Sequence, residues 1–367
     1  MAVEDLAGSR PVRGEDALDT AAVDDWLRRY LTGQAAPVPP PGRPEVRQFS
    51  GGASNLTYLL RYRDRDLVLR RPPRGRKASG AHDMGREYRV QARLRPAFPY
   101  VPRMIACCDD PTVIGSDFYV MERVVGVIPR SEFPRSLTLD PARTRQLAFK
   151  VVDLLVRLHD IDPAAHGLLD LGRGDGYVDR QIRGWTRRYR QARTPNVPSF
   201  EAVMNWLAEY APEDVAACLI HNDFRLDNVV FDVSRRDDDG LPRISGVLDW
   251  EMATVGDPLM DLGGALAYWI QADDDDIFRL TRRQPSHSPG MPTRAEIVEY
   301  YGARRGLDVG RWPFYEVFGL FRLAVIAQQI YFRYHHGQTT NPAFREYWRT
   351  VSYLEARCLR VMAAAGL

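Results

Sequence analysis

Three short apolar runs, Cys218–Ile220, Val229–Phe231 and Ile244–Leu248, frame a polar loop, HNDFRLDN (His221–Asn228), and the last run ends on Asp249 within VLDWE. Apolar runs of this length bounded by polar, turn-rich segments read as strands. The segment SRRDDDGLP (Ser234–Pro242) supplies the hairpin turn between the second and third. The order is therefore strand, loop, strand, turn, strand, aspartate. Asp223 and Asn228 lie toward the two ends of the loop, from which they can reach opposite sides of one phosphate group. An Asp so placed accepts the proton of an attacking hydroxyl, while an Asn and a second Asp hold the magnesium ions that neutralise a triphosphate. Asp223 is the candidate catalytic residue, and Asn228 and Asp249 are the candidate metal ligands.

Arg225, two residues after Asp223, is a second catalytic candidate. A positive charge there opposes the charge that builds on a transferring phosphoryl group. A salt bridge to Asp227 is an equal alternative. His221 reads as architectural. Asp257 and Asp261 read as backbone acceptors that open the next helix, with Pro258 suited to its first position.

With these residues in hand, the chain resembles the aminoglycoside phosphotransferase and choline kinase branch of the protein-kinase-like superfamily. In that branch the second metal ligand sits in I-D-W or L-D-W, as Leu248-Asp249-Trp250 does here, rather than in D-F-G. GDPLMDL (Gly256–Leu262) is similar as well, and the resemblance runs from about Phe49 to the C-terminus. It implies an α+β, two-lobed kinase-like fold with a small antiparallel-sheet lobe and a mainly helical lobe. It also implies ATP and Mg2+ as cofactors, and phosphate transfer to a hydroxyl of a small molecule. The expected boundaries are 1–43 for an N-terminal helix and Pro-rich linker, 44–123 for the ATP-covering lobe, and 124–367 for the catalytic and acceptor-binding lobe.

The N-terminal residues fit that implication. Phe49–Leu60 reads as strand, Gly-rich turn, strand, with Ser54 and Asn55 as candidate phosphate donors; an ordinary hairpin turn explains the same residues. The next strand, Asp66–Arg71, ends without the lysine that a kinase carries there, and the chain has only Lys77 and Lys150. Arg70 is the substitute, because alternation puts it on the face of Val68 and turns Arg71 away. A guanidinium binds phosphate oxygens bidentately; a surface arginine is the plainer reading. The resemblance makes Glu87, on the helix within AHDMGREYRVQARL, its ion-pair partner. It also makes Phe118–Gly126 the hinge whose backbone around Glu122 to Val124 meets adenine.

A helix is expected from about Leu18 to Leu31, with Ala22, Trp26 and Tyr30 on one stripe, and another from Pro141 to Asp160 capped by Asp140. A net charge of +2, with arginine spread along the chain, gives no support to a nucleic-acid partner. Four cysteines without metal or redox spacing suggest a reducing compartment, and the acidic start shows no signal peptide, so a cytoplasmic location is expected. Phe314–Ile330 is interrupted by Glu316, Arg322, Gln328 and Gln329 and reads as a buried helix, not a membrane span. The oligomeric state is not legible.

Two segments are candidates for the acceptor, and they conflict. Gly176–Ala192 places Trp185 and Tyr189 four apart on an arginine-rich helix, which suits a carboxylate or phosphate. Asp273–Asp276 is an acidic run that suits a polycation, with Asp273 its candidate contact, or else caps a helix. LVLRRPP, REYRV, HNDFRLDN and FRLAV…YFRYHHGQT resemble a subgroup fused in some eukaryotes to acyl-CoA dehydrogenases. That kinship implies a hydroxylated acid or acyl acceptor as readily as an aminoglycoside. The missing lysine keeps a regulatory nucleotide-binding module without turnover as the alternative. A protein kinase fits less well, since no A-P-E motif follows Trp250.

Overall fold

Alternation along the early strands decides the first half of the architecture. In the computed structural model, which describes residues 8–32, 42–49, 55–73 and 83–366, β1 (Ser9–Arg10), β2 (Glu45–Phe49), β3 (Leu56–Arg61), β4 (Asp66–Arg71), β5 (Met104–Cys108) and β6 (Phe118–Glu122) form one antiparallel sheet in the order β1-β2-β3-β4-β6-β5. Two helices accompany it, α1 (Thr20–Leu31) and α2 (Met84–Leu94). Leu67 to Arg71 are all buried, as expected of a strand covered on both faces. Tyr58, Leu60, Leu67, Leu69, Phe118 and Val120 join Val23, Leu27 and Leu31 of α1 in one core, while Val68, Tyr119 and Met121 join Met84 of α2 in another.

Helix α1 begins at Thr20, and Trp26 stacks on Tyr30 at 4.9 Å, as their shared stripe implies. Its buried stripe is Val23, Leu27 and Leu31, and Trp26 and Tyr30 are only partly covered. The two stripes lie side by side on a short helix, and the sheet chose the one made of aliphatic side chains. Asp19 caps α1 and Asp83 caps α2, each accepting a first-turn N–H.

Contacts divide the chain into two units: Met1–Val127 with Val229–Arg236 and Pro242–Glu251, and Ile128–Asn228 with Asp237–Leu241 and Met252–Leu367. The hairpin carrying Asp249 therefore counts with the sheet, which its sequence position does not indicate. That hairpin is β8 (Val229–Arg236) with β9 (Pro242–Val247). The second unit holds α3 (Pro141–His159), α4 (Tyr177–Ala192), α5 (Glu201–Glu209), α6 (Pro258–Leu266), α7 (Asp276–Leu280), α8 (Arg294–Arg305), α9 (Trp312–His335) and α10 (Tyr347–Ala365). In it β7 (Cys218–Ile220) pairs antiparallel with β10 (Thr254–Gly256). Strand β8 runs on through Ser234–Arg236, so the hairpin turn is tighter than the expected nine-residue segment.

Asp140 caps α3 with Pro141 at its first position, and Asp257 caps α6 with Pro258 there. Helix α9 is the buried helix expected near Phe314–Ile330, and no described helix is long and apolar enough to cross a membrane. It crosses α6 where glycine faces glycine. A Cβ on Gly263 would sit 2.5 Å from the carbonyl oxygen of Tyr315, and one on Gly319 would run into the carbonyl of Gly263. Replacing Gly319 with alanine therefore forces the helices apart. Gly319→Ala is expected to lower the unfolding free energy by about 2 kcal/mol, measured by urea denaturation.

Candidate active site

The second unit builds the loop from a buried carboxylate outward. Asp261, on the first turn of α6, is almost wholly inaccessible. It accepts the backbone N–H groups of His221 and Asn222, each at 2.8 Å, and the Nε2–H of His159 at 3.1 Å. Tyr301 donates to the other nitrogen of His159 at 2.6 Å, which fixes the tautomer. Burial alone pushes the Asp261 carboxyl up, but the hydrogen bonds from His159 and His221 outweigh it and hold its pKa below the ordinary value. Asn222 is left-handed at φ 64°, a conformation that suits Asn, and Tyr177 donates to its side-chain oxygen at 3.2 Å. His221 is architectural: its Nδ1 accepts the N–H of Asp223 at 3.2 Å.

With the loop fixed in this way, Asn228 Nδ2 donates to the backbone oxygen of Asp223 at 2.9 Å and to its carboxylate Oδ2 at 3.1 Å. The amide nitrogen is thus spent inside the loop. Arg225 holds Asp227 at 2.9 Å, the alternative partner considered for it, and reaches Asp223 at 3.3 Å. Its guanidinium lies 4.6 Å from the ring centre of Tyr268.

The first unit holds the other expected residues. Arg70 and Arg71 emerge on opposite faces of β4, as alternation requires. Arg71 is buried against the hydroxyl of Tyr58. Arg70 pairs with Glu87 of α2 at 2.5 Å, and Tyr119 on the neighbouring strand donates to the same oxygen at 2.8 Å. The second carboxylate oxygen and Arg70 Nε have no partner, so the pair is under-satisfied and costly as pure scaffolding. Burial pulls the Arg70 guanidinium down, but the charges around it hold it protonated; burial pushes the Glu87 carboxyl up despite Arg70.

Arg70 also reaches Asp249 at 3.3 Å and Glu251 at 3.9 Å. Asp249 is left-handed at φ 69°, and its turn is anchored by Trp250, which is fully buried and donates to the Val247 carbonyl at 2.8 Å. Glu251 accepts from Asn55 at 3.1 Å. This contact escaped sequence reasoning, although Glu251 follows directly from VLDWE. Ser54 lies outside the described residues. At the expected hinge, the Glu122 N–H is already given to Arg103 and that of Arg123 to Asp66. Val124 carries the donor that remains.

The acceptor candidates separate sharply. Tyr189 has no exposed surface and donates to the Pro198 carbonyl beside Phe200 and Phe321, so it is a core residue and not a contact. Trp185 lies between Arg188 at 4.6 Å and Arg322 at 5.4 Å. Of the acidic run, Asp274 is buried against Arg294 and Arg357, Asp275 caps α7, and Asp276 pairs with Arg279. Asp273 is exposed and accepts only from Gln271, at 3.0 Å. Asp274, Asp275 and Asp276 are spent on structure because each has an arginine or a helix end to satisfy.

Asn228 and Asp249 offer oxygen ligands, which suit magnesium. Among the described residues no three His, Cys, Asp or Glu converge on a metal position.

The profile of the phosphotransferase enzyme family matches residues 45–297. The chain belongs to that family. Mouse (Mus musculus) acyl-CoA dehydrogenase family member 10 is 34% identical over 338 residues, spanning 92% of this chain and 30% of that protein. Chicken (Gallus gallus) family member 11 is 33% identical over 373 residues, spanning 98% and 45%. The chain thus covers less than half of either relative. A crystal structure from Ralstonia eutropha, assigned as an aminoglycoside phosphotransferase, superposes with a TM-score of 0.75 at 29% identity, covering 95% of this chain and 99% of that one. A thermostable mutant of aminoglycoside phosphotransferase APH(4)-Ia, in a ternary complex with AMP-PNP and hygromycin B, shares the fold at a TM-score of 0.52 and 16% identity, covering 92% and 98%. The α+β kinase-like fold of the phosphotransferases is therefore that of this chain.

Two measurements check the buried groups. Glu87→Gln leaves Arg70 without its strongest counter-charge and is expected to cost about 3 kcal/mol in chemical denaturation. Burial pushes Asp257 up to about 6 from an ordinary 3.8, against three backbone N–H donors that pull it down. A carboxyl raised in the folded state binds the extra proton there, so its contribution is present below the unfolded value and is lost as pH rises to about 6. Wild type should therefore lose about 3 kcal/mol across that window relative to Asp257→Asn, which cannot titrate. Paired denaturation curves at stepped pH read the difference.

Proposed function

We propose that the chain is an ATP- and magnesium-dependent O-phosphotransferase that phosphorylates a hydroxyl of a small molecule. The observation that carries this reading is the Asp223–Asn228 arrangement: a carboxylate and an amide locked together by two hydrogen bonds, with the amide oxygen left over. A loop kept only for shape has no need to commit the donor side of Asn228 in this way. The relative solved with AMP-PNP and the family match support ATP as the donor.

In this reading Asp223 orients the acceptor hydroxyl and takes its proton. Asn228 and Asp249 hold magnesium, which when bound with ATP withdraws charge from the phosphates and makes the γ-phosphorus electrophilic. Arg70 binds α- and β-phosphate oxygens, with Glu87 fixing its direction. The Val124 backbone, beside Glu122, meets the purine edge. Asn55, with Ser54, covers the phosphates from the Gly-rich turn. Arg225 opposes charge on the transferring group while keeping Asp227 as its anchor. Trp185 lines the acceptor.

The test is transfer of labelled γ-phosphate from ATP·Mg to a panel of hydroxylated acceptors. Asp223→Ala is expected to lose at least a thousandfold in kcat. Arg70→Ala is expected to raise KM for ATP about tenfold or more. ATP binding with neither transfer nor magnesium-dependent hydrolysis would replace this reading with the non-catalytic nucleotide-binding module.

A further inference from the structure

The second unit contains a buried arginine with no counter-ion. Arg322, on α9, is 7% exposed, and among the described residues it pairs with no carboxylate. Its polar contact is a hydrogen bond to the Asn222 carbonyl at 2.6 Å, and one face lies over Trp185. It is built in closely: a Cβ on Gly264 would stand 2.6 Å from its Nη1. Burying an unpaired guanidinium is expensive, and proteins rarely leave one so unless something else supplies the charge.

The surroundings of Arg322 share its sign. Arg188 also lies over Trp185, at 4.6 Å from its ring centre, and among the described residues it too pairs with no carboxylate. Partial burial pulls the Arg188 guanidinium down, and the like charges of Arg187 and Arg322 pull it further. The same district includes Tyr268, stacked under Arg225. Burial raises its hydroxyl, with the negative charge of Asp223 adding to the rise and Arg225, Arg322 and Arg283 opposing it. Arg225 is already paired with Asp223 and Asp227, whereas Arg322 holds only the carbonyl of Asn222, the residue before Asp223, among the described residues. Asp274, Asp275 and Asp276 of the acidic run that suited a polycation are spent on Arg294, Arg357, Arg279 and a helix cap.

We infer that Arg322 and Arg188, both stacked on Trp185, form the subsite for an anionic group of the acceptor, a carboxylate or a phosphate ester carried on the same molecule as the hydroxyl. This deepens the phosphotransfer reading and rests on it for the identity of the reacting group. The arginines do not bind the nucleotide in this assignment; they recognise the acceptor. A subsite of two arginines disfavours polyamine acceptors such as aminoglycosides by like-charge repulsion.

The experiment has a binding arm and a turnover arm, both on the full chain. Short hydroxy-carboxylates, glycerol phosphate, the matching neutral diols and an aminoglycoside are titrated calorimetrically and then offered as acceptors with ATP·Mg. The variants are Arg322→Gln and Arg188→Gln. Because Arg322 also holds the Asn222 carbonyl, its loss is expected to depress kcat as well. Among the described residues Arg188 makes no ion pair, so Arg188→Gln is the variant that reads recognition most directly. The expected result is that one of the two anionic classes binds and is phosphorylated, and the class that does so tells carboxylate from phosphate. Each variant should lower kcat/KM for that acceptor about ten- to a hundredfold relative to the matching diol, mainly through KM for Arg188→Gln.

Equal use of diols or the aminoglycoside, anion affinity unchanged in Arg188→Gln, or no anion binding at all would overturn the inference. Anion binding that both variants abolish, with no acceptor phosphorylated, would uphold the subsite and count against the phosphotransfer reading instead.

Discussion

The second unit depends on one buried carboxylate. Asp261 satisfies two consecutive backbone N–H groups at the start of the polar loop and receives a third hydrogen bond from His159. Without it, two donors would be buried unpaired at the point where the chain must turn left-handed at Asn222. Because the acceptor is ionised and each bond is short, the loop is held as a rigid object. Its far end is fixed separately, by the Gln284 side chain on the Leu226 N–H. The positions of Asp223 and Asn228 follow from these two anchors and not from the loop's own propensities.

The first unit has a comparable centre in Arg70, with a different logic. A lysine at that position would present a single point charge, whereas a guanidinium presents a fork that touches Glu87 and Asp249 at once. The replacement therefore ties the strand, the helix and the hairpin Asp together. The pair with Glu87 leaves one oxygen and one nitrogen unsatisfied. Such a pair is a poor choice for stability alone.

Much of this was legible in the residues. The order of strands and loop, the Asp-Pro helix entry and the capped α3 all rest on local rules, and local rules act on neighbours in sequence. Alternation alone separated Arg70 from Arg71. What stayed open were the cases in which two local answers were equally good. Trp26 and Val23 lie on adjacent stripes of α1, and only the sheet surface chooses between them. Tyr189 and Trp185 share a helix face, yet Phe200 and Phe321 close over the former while the latter is flanked by arginines. The contact of Glu251 with Asn55 joins residues 196 positions apart, and no pattern along the chain announces it.

The sequence by itself determined the chemistry on offer: a carboxylate, an amide and a second carboxylate in an order suited to phosphate, and an arginine where a lysine is usual. Residue type and spacing suffice for that, because they fix which groups a short loop or strand can present. The tertiary structure alone decided how the charges are spent. The acidic run and the arginine-rich helix looked equally available, but long-range packing brought Arg294 and Arg357 to Asp274 and brought no acid to Arg322. Whether a charge is neutralised depends on which partner lies within a few ångströms, and that distance is a property of the fold.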